Sequence, residues 1–146
     1  MIISSSHFDD GEFIPKRFSC DGDNIPPDLE FMDIPNRTQT LVLIIEDPDA
    51  PSGIWSHWVV WNIDPRVDHI SDGIIPPGAR EGANSSGSLG YQGPCPPNGL
   101  HRYIFRLFAL DGVLTLPPDS GREDLLEAIS GHIIEAAKLV GLYERK

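Results

Sequence analysis

Basic residues are scarce in this chain. Eleven Lys and Arg stand against 22 Asp and Glu, for a formal net charge of −11. A protein that tracks nucleic-acid phosphates needs a basic face, so the balance argues against that class. It argues equally against adsorption to an anionic membrane through a polybasic patch. Long apolar runs are missing as well, and none approaches the roughly 20 residues of a membrane-spanning helix. The start, Met1-Ile2-Ile3-Ser4, lacks the basic-then-apolar pattern of an export signal. No integral membrane association is therefore expected, and the cytoplasm is the expected location. Cysteine is almost absent, with Cys20 and Cys95 the two present. In a reducing compartment both are thiols, and spacing does not tell whether they pair. There is no internal repeat and no low-complexity tract.

What the chain does have is turn chemistry and short apolar runs. Its 146 residues suit one domain spanning residues 1–146, with a real core. The 14 Gly and 14 Pro cluster outside the apolar runs, as in an all-β domain with long shaped loops. The organising stretch is Leu41 to Ile63. Leu41-Val42-Leu43-Ile44-Ile45 and His57-Trp58-Val59-Val60-Trp61 read as buried strands. The strands run Thr38 to Glu46 and Ser56 to Ile63, and Pro48 and Pro51, which have no backbone donor, place the loop between them. If the strands pair antiparallel, Asp47 and His57 meet at one rim of the sheet beside Trp55.

Leu29 to Met32 reads as a short strand, and Met1 to Pro15 as an edge strand followed by a turn at Asp10-Gly11. Asp64 to Asn98 has little periodicity, which in a compact domain marks a surface Ω-loop or a functional loop. Leu100 to Leu110 is a third long strand. Period-two alternation puts His101, Tyr103, Phe105, Leu107 and Ala109 on one face and Arg102 on the other, tied to a carboxylate elsewhere. Ser120 to Lys138 reads as one or two helices. Ser120 and Glu123 fit a capping box, and Leu126, Ile129, Ile133 and Val140 recur at helical spacing. Leu142 to Lys146 follows as a short strand.

Three segments in order are specific together: Asp47-Pro48-Asp49-Ala50-Pro51, His57-Trp58, and Gly93-Pro94-Cys95-Pro96-Pro97-Asn98-Gly99-Leu100-His101-Arg102-Tyr103. With Ile14-Pro15-Lys16-Arg17-Phe18-Ser19-Cys20-Asp21-Gly22 and the C-terminal Gly131 to Tyr143, they resemble the phosphatidylethanolamine-binding protein family, also called Raf kinase inhibitor-like proteins. The likeness is to the short bacterial and archaeal branch and covers nearly the whole chain. It implies a mostly β fold, an antiparallel β-sandwich with one or two C-terminal helices. It also implies a small anion pocket, lined by Asp47, Pro51, His57, Pro97, His101 and Tyr103, with a cis bond at Ala50-Pro51. Regulation of a protein kinase or protease, and a homodimer, are implied in the same way. One departure is Pro26-Pro27-Asp28-Leu29-Glu30-Phe31, where many relatives read Ser-Pro-Pro-Leu-Glu-Trp. The lost hydroxyl and the added Asp28 carboxylate are expected to alter the pocket rim.

The residues support a non-enzymatic binding protein for a phosphate- or carboxylate-bearing group. His57, His101 and Tyr103 donate, and Asp47 orients His57 or meets an ammonium. The plainer reading of His57 is a core histidine bonded to Asp47, and of Asp47 a turn-capping residue. Asp49 is expected to hold the loop by bonding backbone amides. His7, His69 and His132 have no matched partner in the sequence. Asp47, His57 and His101 have the chemistry of zinc ligands, but no HExxH or paired-cysteine spacing supports a metal, and no cofactor is expected. Cys95 lies between prolines with no helix start to activate it as a nucleophile. Two alternatives remain: an inhibitor module that docks a protease or kinase through residues 64–98, and a weak hydrolase using Asp47 and His57 as acid and base.

Overall fold

The structure is a computed structural model and describes residues 1–145. The chain runs through β1 (Ile2–Ser4), a 3-10 turn at Lys16–Phe18, β2 (Leu29–Met32), β3 (Thr40–Asp47) and β4 (Trp55–Ile63). It continues through β5 (His69–Ile70), β6 (Arg80–Glu81), β7 (Leu100–Leu110), α1 (Arg122–Ile129) and β8 (Ile133–Glu144). The strands form two antiparallel sheets, one of order β1-β2-β5 and one of order β6-β4-β3-β7-β8. This is the β-sandwich expected, with one helix.

The alternation of side chains sets the layers. Leu41, Leu43 and Ile45 of β3 point into the core between the sheets, with Trp58 and Val60 of β4 and Tyr103, Phe105 and Leu107 of β7. The even residues Val42 and Ile44 point the other way, with Val59, Trp61 and Phe108, and are covered by Leu125 and Ile129 of α1. All eight residues of β3 are buried, as a central strand covered on both faces requires. Under α1 the buried Glu46 carboxylate accepts from Arg106 Nη1 at 3.2 Å and from Arg122 Nη2 at 3.2 Å. That pairing satisfies a charge that would otherwise be costly to bury.

Several expectations change. The helix is shorter than Ser120 to Lys138, because Gly131, in the left-handed region at φ 83°, turns the chain back. Residues 133–144 then pair with β7 over its whole length, from Leu110↔Ile133 to Leu100↔Glu144. The terminal strand expected at Leu142 to Lys146 is the end of this longer one, and Lys146 itself lies outside the described residues. The cap is not Ser120 with Glu123. The Gly121 N–H donates to Asp124 Oδ2 at 3.0 Å, and the Ser120 hydroxyl donates to Pro117 O. There are no cis peptides among the described residues, so the Ala50–Pro51 bond is trans. The 64–98 stretch is not structureless. It contains β5, β6 and an Ala83↔Leu89 bridge. His7, His69 and His132 each lie against an acid, Asp28, Asp68 and Asp111. Cys20 and Cys95 are not thiols; they form a disulfide.

Candidate functional site

The rim of the five-stranded sheet carries a recess of about 290 Å³. Asp47, Pro51, His57, Pro97, His101 and Tyr103 all line it, joined by Trp55, Gln92, Cys95 and Pro96. The local pairing explains how His57 reaches it. Ile45 lies opposite Trp58 and Glu46 opposite Ser56, so His57 is an extra residue on β4 at a register shift. Bulges of this kind re-aim a side chain and are common beside functional sites. On β7, which pairs with the other side of β3, regular alternation delivers His101 and Tyr103, both buried.

The buried carboxylate of Asp47 does not orient His57. Its Oδ2 accepts from His101 Nδ1 at 2.6 Å, and its Oδ1 accepts from the Asp49 N–H at 2.7 Å. The second bond closes a turn at the end of β3, so Asp47 shapes the loop as well as the site. His57 Nδ1 instead bonds the Gln92 carbonyl at 2.6 Å. A carbonyl only accepts, so Nδ1 carries the proton. Burial holds His57 below its ordinary pKa, partly offset by the bond to Gln92 and the charge of Asp47. Both imidazoles thus spend their Nδ1 on a protein acceptor and keep Nε2 for another partner.

Tyr103 stands edge-on to His57, with ring centroids 5.2 Å apart, and stacks toward His101 at 6.5 Å. Its hydroxyl is buried beside the Asp47 carboxylate but does not close a full hydrogen bond to it. Burial, and then the Asp47 charge, push the Tyr103 pKa far up, so the phenol stays protonated and able to donate. Among the described residues no group of three His, Cys, Asp or Glu is placed to hold a metal.

Asp49 and Arg102 frame the site from outside. Arg102 donates to Asp49 through Nη2 at 2.9 Å, Nε at 3.0 Å and its backbone N–H at 2.9 Å. The guanidinium holds the Asp49 carboxyl down at about 2. Asp49 therefore fixes the loop, as expected of it, and Arg102 turns away from the recess. The second wall is the Tyr91 to Asn98 segment. Gly93 packs so tightly that a Cβ there would lie 2.3 Å from Phe18 O. Sequence reasoning missed Gln92, whose role runs through its backbone carbonyl and leaves no side-chain signature. Asp28 lies elsewhere, accepting from the Asp72 N–H, so it does not alter the rim.

A two-sheet β fold with a rim recess of two imidazoles, a phenol and a buried carboxylate defines a class of small pocket-bearing β proteins. Within that class, the chain belongs to the phosphatidylethanolamine-binding protein family, whose profile matches residues 4–144. It is 48% identical over 150 residues to a UPF0098 protein of Methanothermobacter thermautotrophicus, covering 99% of each chain. A UPF0098 protein of Chlamydia trachomatis is 45% identical over 152 residues, again with 99% of each chain covered. Among solved structures, a putative phosphatidylethanolamine-binding protein homolog from C. trachomatis superposes with a TM-score of 0.94 at 44% identity, covering 99% of this chain and 97% of that one. YbcL of Escherichia coli, described as a new member of the mammalian family, gives 0.91 at 28% identity, with coverage of 99% and 98%.

Proposed function

We propose that this protein binds a small phosphate-bearing group, of the phosphoethanolamine type, in the rim recess and does no chemistry on it. The observation that carries the reading is the convergence of three polar groups on one recess, the imidazoles of His57 and His101 and the Tyr103 hydroxyl. A buried polar group without a partner carries a desolvation cost, and a ligand oxygen that accepts from it removes that cost. The prolines at positions 51, 96 and 97 give the mouth walls that need little ordering on binding.

Two features could argue against an anion, and both fit a zwitterion. The recess contains a buried carboxylate, and the chain as a whole is acidic. A phosphoethanolamine-like group carries an ammonium as well as a phosphate. Its net charge is small, and Asp47 lies beside the place where the ammonium would sit. Asp47 also favours protonation of His57, which turns Nε2 from acceptor to donor when the phosphate arrives. The proposed output is control of a protein partner, a kinase or a protease, by the occupied site; the family likeness supports it.

Calorimetric titration with phosphoethanolamine tests the proposal. His57→Asn keeps a donor for the Gln92 carbonyl and removes Nε2. It is expected to weaken binding by about 10- to 100-fold, the worth of one charge-assisted hydrogen bond. Unchanged affinity would remove His57 and the recess from the function. Turnover of a phosphoester that vanishes with Asp47→Asn would make the protein a hydrolase instead. Kinase or protease inhibition that survives loss of the recess but fails on cutting residues 64–98 would make it a loop-docking inhibitor.

A further inference from the structure

The wall of the recess formed by Pro96 and Pro97 is held in an unusual way. Up to Pro94 the segment is tied by hydrogen bonds. Gln92 N–H donates to His57 O at 2.9 Å, Gly93 N–H to Asn24 Oδ1 at 2.8 Å, and Cys20 N–H to Pro94 O at 3.1 Å. The Tyr91 hydroxyl donates to Phe18 O at 2.6 Å. From residue 95 to residue 99, no backbone group makes a hydrogen bond among the described residues, and β7 pairing resumes only at Leu100. Two of those five residues are prolines, which have no N–H to offer. The tie across this gap is the Cys20–Cys95 disulfide.

That bridge is also within reach of solvent. Cys95 is exposed and lines the recess, and Cys20 is half-buried on the 16–22 turn. Arg145 places Nη1 3.6 Å from Cys95 Sγ, and its Nη2 pairs with Asp21 at 3.2 Å. A guanidinium at that distance favours the thiolate of Cys95 once the bridge is open.

We propose that Cys20–Cys95 is a thiol–disulfide exchange site for a dithiol reductant, and that its redox state sets whether the recess keeps its second wall. The chemistry balances. A thiolate of the dithiol attacks the exposed Cys95 Sγ and displaces the Cys20 thiolate, which takes up a proton. The second thiol of the reductant then displaces Cys95 as a thiolate beside Arg145 and closes the reductant's own disulfide. Two electrons pass from the dithiol to the protein; of the two protons the dithiol gives up, Cys20 takes one and solvent the other, since Cys95 stays a thiolate. Residues 95–99 are then free, and Pro96 and Pro97 no longer face His57 and His101. The effect on ligand affinity rests on the reading of the recess given above; the release of the wall does not.

The test uses the full chain, oxidised and after dithiothreitol, with Cys20→Ser/Cys95→Ser as a permanently open form. The dithiol is expected to reduce the folded protein without denaturant. Backbone order parameters at positions 95, 98 and 99 should fall from the rigid range near 0.85 to below about 0.6, while β7 keeps its values. The same fall is expected in the reduced wild type and in the double variant. Phosphoethanolamine affinity should drop at least about tenfold and return on reoxidation. A bridge that resists the dithiol until the protein unfolds would overturn the proposal. So would a reduced form with unchanged order parameters, or an open variant that loses its near-ultraviolet dichroism altogether. If neither redox form binds phosphoethanolamine, the ligand reading fails, and the reduction rate and order parameters still decide the role of the bridge.

Discussion

At the scale of single residues, His57 is the group whose charge should matter most. Burial lowers its folded pKa from the ordinary 6.5, so the unfolded chain binds its proton more readily than the native one. The stability this contributes is fully present above pH 6.5 and is lost as the pH falls through the lower folded value. Urea midpoints measured from pH 7.5 down to 5 should therefore decline, and His57→Asn should flatten that decline. Ligand binding should run the other way. Because Nδ1 is committed to Gln92, Nε2 donates to an anion only when the ring is protonated, so binding takes up a proton near neutral pH. Calorimetry of phosphoethanolamine binding in buffers of different ionisation heat should show this uptake. The share that His57→Asn abolishes belongs to His57. Reading the sequence alone brings Asp47, His57 and His101 to one recess, where the structure also has them, but pairs the wrong two. It joins Asp47 to His57 because one short loop connects them, whereas Asp47 bonds His101 from a strand paired on the other side of β3.

At the scale of elements, β8 is the instructive case. Leu126, Ile129, Ile133 and Val140 recur at helical spacing, and Ala136, Ala137 and Lys138 are good helix formers. Yet helix ends at Ile129, and residues 133–144 make a strand. Pairing along eleven residues of β7, with Leu139 and Tyr143 buried against the core, outweighs local preference. Strand propensity is largely a matter of such packing, which a window of sequence does not contain. Gly131 is the hinge of the switch, and nothing lies within 4 Å of where its Cβ would be. If helix propensity governed this region, Gly131→Ala would stabilise it. Because φ is positive, the expected result is a loss of about 1 kcal/mol with no gain of helix. Urea denaturation together with far-ultraviolet dichroism checks both parts.

At the scale of the whole molecule, two apolar layers and one covalent tie share the work. The layers on either side of β3 are built from alternate residues of the same three strands. The disulfide joins positions 75 residues apart, from the first turn to the wall of the recess. Closing a loop of that length restricts the unfolded chain by about 4 kcal/mol in the chain-entropy model. The double serine variant should therefore stay folded on its two cores and lose stability of that order. Equilibrium urea curves of oxidised and variant protein would show it, and no loss at all would mean that the reduced chain is already constrained. The acidic surface belongs to the same scale, since net charge governs solubility and the kind of partner attracted more than it governs the fold.

Local pattern was enough to reveal the β character, the central strands β3, β4 and β7 and the faces of β7, and the family resemblance supplied the set of side chains at the rim. The first three follow from period-two alternation and the positions of proline, properties of short windows; the last follows from an ordered set of motifs spread along the chain. It took the folded chain to establish that residues 133–144 are a strand, that Asp47 serves His101, that a backbone carbonyl holds His57, and that Cys20 meets Cys95. Each of these depends on contacts between residues far apart in the chain, and their free energies are set by burial and pairing that no local pattern records.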